Sequence, residues 1–245
     1  MYTKDTLLEN LKQMNLDPKG TILVHASYKS IGDVENGPLT VLETLIEYMS
    51  EGLLVFPSHT WATVNEENPI YSVTETPGCI GIIPELARKR AGGFRSAHPT
   101  HSVVAFGKDA KNFIQGDEKF DTPCDRSSAW GRLLDNEATI LLLGVGLNRD
   151  TFIHGIEEWL DIPGRLTEER ENLISILADG KKVSVPSRRH IGHPSENFPR
   201  VQDYLLEKHI LNVGKFGDAP VLYHNAKELY VALKPLLQEN PALFS

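Results

Sequence analysis

The chain has 245 residues, 40% of them hydrophobic and 24% charged, and 33 acidic against 25 basic side chains give a formal net charge of -8. This balance is typical of globular domains and excludes disordered and fibrous proteins. The negative charge disfavours nucleic acid as a partner, and no apolar run approaches the ~18 residues that a membrane-spanning helix needs. Because no apolar leader follows Met1, we expect the protein in the cytoplasm, with neither nucleic acid nor a membrane among its partners.

The first part of the chain alternates between helical and strand patterns. Apolar residues at helical spacing predict a helix over residues 3–16 and a second one that begins at Pro38. Short apolar runs predict buried strands over residues 21–24, 53–56, 103–106 and 139–143. Strands that alternate with helices indicate a layered α/β domain with helices on both faces of the sheet.

The second part of the chain adds a hairpin and C-terminal helices. Two runs with alternating apolar residues, between positions 173 and 185, flank Asp179 and Gly180, a pair typical of hairpin turns. A hairpin here makes the sheet mixed or lies outside it. Helical patterns follow over residues 198–210 and 226–237.

No internal repeat and no linker divides the chain, so we predict a single domain over residues 1–245. The longest predicted loop covers residues 58–81, and loops of this length in compact domains are usually functional.

Hydrogen-bonding side chains are concentrated in residues 95–102, just before a predicted strand. Segments at the ends of strands often hold ligands, because the sheet positions them rigidly. A capped turn with solvated histidines explains the same pattern without a ligand.

A glycine-containing turn and the start of a helix follow the strongest predicted strand. If residues 150–159 are helical, Thr151, His154 and Glu157 are spaced three residues apart, and Glu158 lies four residues after His154. A carboxylate beside an imidazole stabilises the imidazolium and fixes the tautomer, which suits a general base. A helix-surface pair of histidine and glutamate has the same spacing.

A metal site is a further alternative. His154, Glu157, His190 and His193 could converge on one divalent cation, as in a metal-dependent hydrolase. The H-E-x-x-H motif is absent, and residues that break helices surround the last two histidines. Two isolated cysteines do not make a thiolate zinc site, so no metal is expected.

Several motifs occur in a characteristic order along the chain. They are residues 22–32, the segment Arg95-Ser96-Ala97-His98-Pro99 with Ser102, residues 128–133, residues 142–145, the motif formed by Thr151, His154 and Glu157, and residues 214–219. This ordered set resembles the aminoglycoside 3-N-acetyltransferase family, also called the antibiotic N-acetyltransferases.

The resemblance implies a three-layer α/β/α fold with a mixed central sheet, a β-hairpin and C-terminal helices. It implies an acyltransferase that uses acetyl-CoA to acetylate an amine of an aminoglycoside-like small molecule, at the 3-N position in the family, with antibiotic resistance as the associated property. Residues that line the path of the pantetheine arm in relatives map onto Ser27, Lys29, Ser30, Ile31, Arg95, Ser96, His98 and Ser102.

The family's T-x-x-H-x-x-E motif maps onto Thr151, His154 and Glu157, with the histidine as general base and the glutamate as its support. An amine attacks a thioester only when it is unprotonated, so a base must accept its proton. The carboxylates proposed to hold a cationic substrate are Glu158, Glu66 and Glu67.

Two other functions remain open at this point. A protein of this fold that has lost turnover would bind CoA or a ligand without catalysis, and a metal-dependent hydrolase would use the histidine and glutamate set described above. A homodimer is a further possibility.

Overall fold

The computed structural model describes residues 1–245, and ten strands account for both of its sheets. The strands are β1 (Thr21–Ala26), β2 (Leu53–Pro57), β3 (Ile70–Ser72), β4 (Phe94–Arg95), β5 (Val103–Gly107), β6 (Thr139–Leu143), β7 (Glu171–Ile176), β8 (Lys182–Ser187), β9 (Leu211–Phe216) and β10 (Ala219–Asn225).

Nine α-helices connect and cover these strands. They are α1 (Lys4–Gln13), α2 (Tyr28–Ile31), α3 (Pro38–Tyr48), α4 (Ile82–Lys89), α5 (Ala110–Phe113), α6 (Ala129–Asp135), α7 (Thr151–Trp159), α8 (Gln202–Glu207) and α9 (Ala226–Glu239). Short 3-10 helices cover Asp117–Lys119, Leu147–Arg149 and Pro194–Val201. No helix combines the length and the apolar character needed to cross a membrane.

The main sheet has seven strands in the order β4-β5-β2-β1-β6-β10-β9. The central strand β1 pairs in parallel with β2 and β6, and the remaining pairs are antiparallel. The mixed central sheet is therefore confirmed. Its three central parallel strands end at the same edge, which is where open α/β sheets hold their ligands.

Successive residues of the central strands enter two separate apolar cores. Leu23 and Val55 pack on one face, whereas Val24 and Phe56 pack on the other. Helices α1, α3 and α4 cover the second face, and helices α6 to α9 cover the first. This alternation follows from the two-residue period of a strand and confirms the three-layer α/β/α arrangement.

The predicted hairpin forms strands β7 and β8, which turn at Asp179 and Gly180 and lie outside the main sheet. Strand β3 joins them by pairing in parallel with β7. The sequence predicted a loop over residues 58–81, but part of this segment forms β3. A three-residue strand between proline-containing segments has too short a pattern to be recognised.

In the C-terminal region the structure differs from the sequence prediction at two places. The helix predicted over residues 198–210 divides into the 3-10 helix Pro194–Val201 and helix α8, because Pro199 lacks the N–H that a continuous α-helix requires. Strands β9 and β10, which extend the main sheet, were not predicted. Their residues alternate weakly between buried and exposed, and β9 is an edge strand.

Candidate active site

A cavity of about 960 Å³ opens where the parallel strands of the main sheet end. Its wall includes His25 and Ala26 at the end of β1, Pro57 at the end of β2 and Val145 just after β6. The volume is at the upper end of that seen for small-molecule sites.

A tight turn after β6 brings helix α7 to this cavity. Gly144 has a φ of +64°, and a Cβ atom on it would lie 2.4 Å from the Cβ atom of Ser30, so only glycine fits. Asp150 caps the first turn of α7 by accepting a backbone N–H at 3.1 Å. Thr151 and His154 consequently lie on the cavity wall.

The predicted pair of His154 and Glu157 is present. Nδ1 of His154 lies 3.3 Å from Oε2 of Glu157, whose side chain is 1% exposed. The other carboxylate oxygen accepts a hydrogen bond from the buried guanidinium of Arg165. Arg165 follows a proline and glycine turn after α7, and nothing in the sequence singled it out.

Burial controls the protonation of His154. It lowers the pKa of this imidazole, the neighbouring His190 lowers the pKa further, and Glu157 and Glu158 oppose that shift. A neutral imidazole whose Nδ1 faces a carboxylate keeps its proton on Nδ1. Nε2 is then the nitrogen able to accept a proton.

His190 lies beside His154 and is held by Glu158. The two imidazole rings are stacked, with centroids 4.5 Å apart, and Nε2 of His190 lies 2.6 Å from Oε1 of Glu158. Burial raises the pKa of Glu158 to about 8 and lowers that of His190 to about 4. At neutral pH the pair therefore shares one proton without a net charge.

Glu158 does not have the predicted location of a substrate-binding carboxylate. Its side chain is 4% exposed and is not part of the cavity wall. Besides its contact with His190, it accepts the backbone N–H of Cys124 at 2.9 Å. The i+4 spacing from His154 does place Glu158 near the site, but behind the histidines.

Further histidines line the cavity. The rings of His59 and His101 have centroids 4.5 Å apart, and that of His101 is 5.0 Å from His190. Burial lowers the pKa of both His59 and His101 well below the usual value. Nε2 of His25 and Nε2 of His59 are buried without a protein partner. His25 belongs to the motif over residues 22–32, although no role was predicted for it, and no pattern in the sequence selects His59.

The structure does not assemble the metal set considered from the sequence. Among groups of three or more candidate ligands, only Cys124, Glu158 and His190 have their ligand atoms within 4.8 Å of one another. The thiol of Cys124 is buried, and burial raises its pKa well above the ordinary value, which disfavours a thiolate ligand. His193 is exposed at the start of a 3-10 helix.

Arg95 has a different environment from the predicted one along the pantetheine arm. Its buried guanidinium donates to the carbonyls of Thr76 at 2.6 Å and Ser58 at 2.9 Å and to the hydroxyl of Ser102 at 3.2 Å. It also lies 4.9 Å above the ring of Tyr71 in β3. Arg95 thus ties the small sheet and residues 58–76 to the main sheet.

The other polar residues of this segment are also used within the protein. The hydroxyl of Ser96 accepts a backbone N–H at 3.1 Å, Nδ1 of His98 accepts two, and the hydroxyl of Ser102 donates to the carbonyl of Ser58 at 2.7 Å. None of these side chains, nor that of Arg95, lines the cavity. Most polar atoms of Arg95, Ser96 and Ser102 already have protein partners, which favours a supporting role, whereas Nε2 of His98 is buried without a protein partner.

The predicted cofactor residues near the start of the chain lie beside the cavity. The hydroxyl oxygen of Ser30 lies 3.1 Å from that of Ser27 and 3.2 Å from the carbonyl oxygen of Gly144. Lys29 is exposed and Ile31 is buried. They follow Ala26, which lines the cavity, although their own side chains do not.

Glu66 and Glu67 are exposed in the turn that Asn65 and Asn68 close by backbone hydrogen bonds. Neither carboxylate lines the cavity, so the structure does not bring them to His154. The carboxylates on the wall are instead Asp150 and Glu196.

Comparisons with known proteins agree with this fold. A family model described as aminoglycoside 3-N-acetyltransferase matches residues 23–238. The chain is 31% identical over 238 residues to the SPbeta prophage-derived aminoglycoside N(3')-acetyltransferase-like protein YokD of Bacillus subtilis (strain 168), covering 89% of this chain and 85% of that protein.

Solved structures show the same architecture. A variant of aminoglycoside acetyltransferase AAC(3)-IVa in complex with a gentamicin is 26% identical, with a TM-score of 0.86 and coverage of 99% of this chain and 91% of that one. AAC-IIIb in a binary complex with CoASH shares the fold at 22% identity, with a TM-score of 0.84 and coverage of 97% of each chain. The chain belongs to the aminoglycoside 3-N-acetyltransferase family of acyltransferases.

Proposed function

We propose that the protein is an acetyl-CoA-dependent N-acetyltransferase that acetylates an amine of an aminoglycoside-like small molecule, with residues 1–245 acting as one domain. The observation that carries this proposal is the position of His154 on the cavity wall, with its Nδ1 facing the buried carboxylate of Glu157. Gentamicin in the AAC(3)-IVa complex and CoASH in the AAC-IIIb complex support both ligand classes.

The volume of the cavity supports a site for two ligands. Its volume of about 960 Å³ exceeds what one small amine needs, which leaves room for a pantetheine arm. Arg149 on the wall is exposed, and none of its side-chain nitrogens has a protein partner, so it suits a phosphate group. Lys29 and Ser30 remain predicted contacts of CoA near the same edge of the sheet.

His154 performs the proton transfer in this proposal. Acetyl-CoA, when bound, supplies an acetyl group activated as a thioester. Nε2 of His154 accepts the proton of the attacking amine as the new bond to nitrogen forms, and returns a proton to the leaving sulfur. No net proton remains on the protein after one turnover.

The neighbouring residues prepare His154 for this role. Glu157 fixes the tautomer and stabilises the imidazolium that forms, and Arg165 holds Glu157 in place. The hydroxyl of Thr151, on the same wall, is the candidate donor to the acetyl oxygen. His190 supports the other side of the imidazole ring.

The test is an acetylation assay with gentamicin and apramycin as acceptors. Release of the free CoA thiol and the mass of the product are measured together, with His209→Asn as a control because His209 is exposed and outside the cavity. We expect acetylated amine in proportion to thiol released. CoA binding without transfer to any amine indicates a non-catalytic binding protein instead, and no CoA binding contradicts the proposal.

A further inference from the structure

The charges on the cavity wall identify the class of acceptor more narrowly. Resting on the proposed function, we propose that the preferred acceptor is a hydroxylated molecule with one basic amine, of the amino-sugar type, and that polycations are poorer substrates. The decisive juxtaposition is a wall that contains several buried imidazoles and a single unpaired carboxylate, that of the exposed Glu196.

The wall offers few negative charges to an ammonium group. Asp150 is fully buried, with Oδ2 located 2.7 Å from Nε2 of His224 and Oδ1 capping helix α7. Glu196 is exposed and has no protein partner for its carboxylate. One carboxylate is thus available to a cationic ligand.

Other carboxylates near the site do not change this balance. The negative charge of Glu157 is balanced by its ion pair with Arg165, and Glu158 shares a proton with His190. Among the cationic side chains, Arg189 lines the cavity but forms an ion pair with Glu171 outside it.

The remaining unpaired charges on the wall are those of Arg149, which the proposed function assigns to a phosphate group of CoA, and of Glu196, which is left for the acceptor. An ammonium group that leaves water loses its hydration, and only a nearby carboxylate offsets that loss. In this cavity a molecule with several ammonium groups finds a carboxylate partner for only one of them. A molecule with a single ammonium group finds a partner for its whole charge.

The rest of the wall suits an uncharged polar body. The unpartnered Nε2 atoms of His25 and His59 belong to imidazoles that burial keeps neutral, and a neutral imidazole nitrogen donates to or accepts from a hydroxyl. Trp61 lines the cavity with 48% of its surface exposed, which provides an aromatic face for the ring of a sugar.

The experiment compares acceptors that differ in the number of basic nitrogens: glucosamine with one, 2-deoxystreptamine with two, and gentamicin with several. Acetyl transfer and the dissociation constant in the presence of CoA are both measured, at low and high salt. We expect glucosamine to have a kcat/KM on the order of tenfold above that of gentamicin, a difference of about 1.4 kcal/mol. Little change of KM with salt is expected for glucosamine.

A variant with an added carboxylate separates charge from shape. Ser195→Glu places a second carboxylate on the wall beside Glu196 and should reduce the preference for glucosamine, whereas Ser50→Glu adds the same charge on an exposed residue outside the cavity and should not. Equal or better use of gentamicin by the native protein would overturn the inference while leaving the proposed acetyltransferase intact. Transfer to none of the three acceptors would overturn both.

Discussion

The imidazole rings of His154 and His190 lie face to face, with centroids 4.5 Å apart and planes inclined by 20°. His190 is fixed in turn by Glu158, and Nδ1 of His154 faces Glu157. The orientation of His154 is therefore set on its edge by a carboxylate and on its face by a second imidazole. A base must be held in this way, because a shift of its ring by about 1 Å can cost a large part of the rate.

Substitutions at His190 test the stacking contact. His190→Ala removes the stacked ring, and we expect kcat to fall on the order of tenfold with a smaller change in KM. His190→Phe restores a flat ring at this position without the hydrogen bond to Glu158 and should recover most of kcat. Steady-state kinetics measure both values. A phenylalanine variant as impaired as the alanine variant would show that stacking does not position His154.

The pH profile tests the protonation state of His154. Because burial lowers the pKa of this base below the usual 6.5, kcat/KM should be constant near pH 7 and decrease only at more acidic pH. Glu157→Gln removes a group that raises the pKa of His154, so the acidic limb should move to lower pH as the plateau decreases. A limb that moves to higher pH would contradict the assigned partner.

Arg95 provides a test of a supporting role against direct cofactor binding. Arg95→Met leaves the carbonyl of Thr76 without a donor and removes one of the two donors to the carbonyl of Ser58, so it should lower the free energy of unfolding by roughly 1–3 kcal/mol. The KM for acetyl-CoA should change little in the folded fraction. Lys208→Met, at an exposed position, is the control for urea denaturation. A large increase in KM at unchanged stability would instead restore the predicted pantetheine contact.

The buried imidazoles predict a loss of stability on acidification. Burial lowers the pKa of His25 and His190 to about 4 and that of His98 to about 3, so the unfolded chain binds protons that the folded chain excludes. The free energy of unfolding should therefore decrease as the pH falls from about 6.5 to about 4. Glu158 and Asp117, with pKa values raised to about 8 and about 6, act in the opposite sense and lose their contribution as the pH rises.

The imidazoles outnumber these two carboxyl groups, so we expect a net decrease on the order of 1 kcal/mol for each pH unit below 6.5. Urea denaturation at pH 7 and pH 5 measures it. His98→Gln, which removes one such group outside the cavity, should reduce the slope. A free energy of unfolding that is constant or higher at pH 5 would contradict this assignment.

The sequence predicted the parts of the fold that depend on local pattern. Apolar strands such as residues 139–143 and the turn at Asp179 and Gly180 are encoded in a few consecutive residues. Strands β9 and β10 were missed because their pairing, not their composition, makes them strands. The split at Pro199 follows from a local rule that outweighed the apolar pattern.

The site likewise contains residues that the local sequence pattern predicted and residues that it did not. The spacing of Thr151, His154 and Glu157 is a property of one helix, and the structure reproduces it. Arg165 and His59 reach the site through tertiary packing, which no spacing reports. Glu158 has the predicted i+4 spacing from His154, yet its carboxylate contacts His190 and does not line the cavity. Spacing along a helix places a residue on one side of that helix, but it does not predict which residues of other segments pack there.

The most direct test of the central claim is the rate of acetyl transfer by His154→Ala, measured in single turnover with acetyl-CoA and an accepted amine. Thermal stability and acetyl-CoA binding are measured on the same preparation to show that the variant is folded and loaded. We predict that its rate falls on the order of a hundredfold or more while acetyl-CoA binding is retained. A variant that binds acetyl-CoA and transfers acetyl within about threefold of the native rate would contradict the assignment of His154 as the general base.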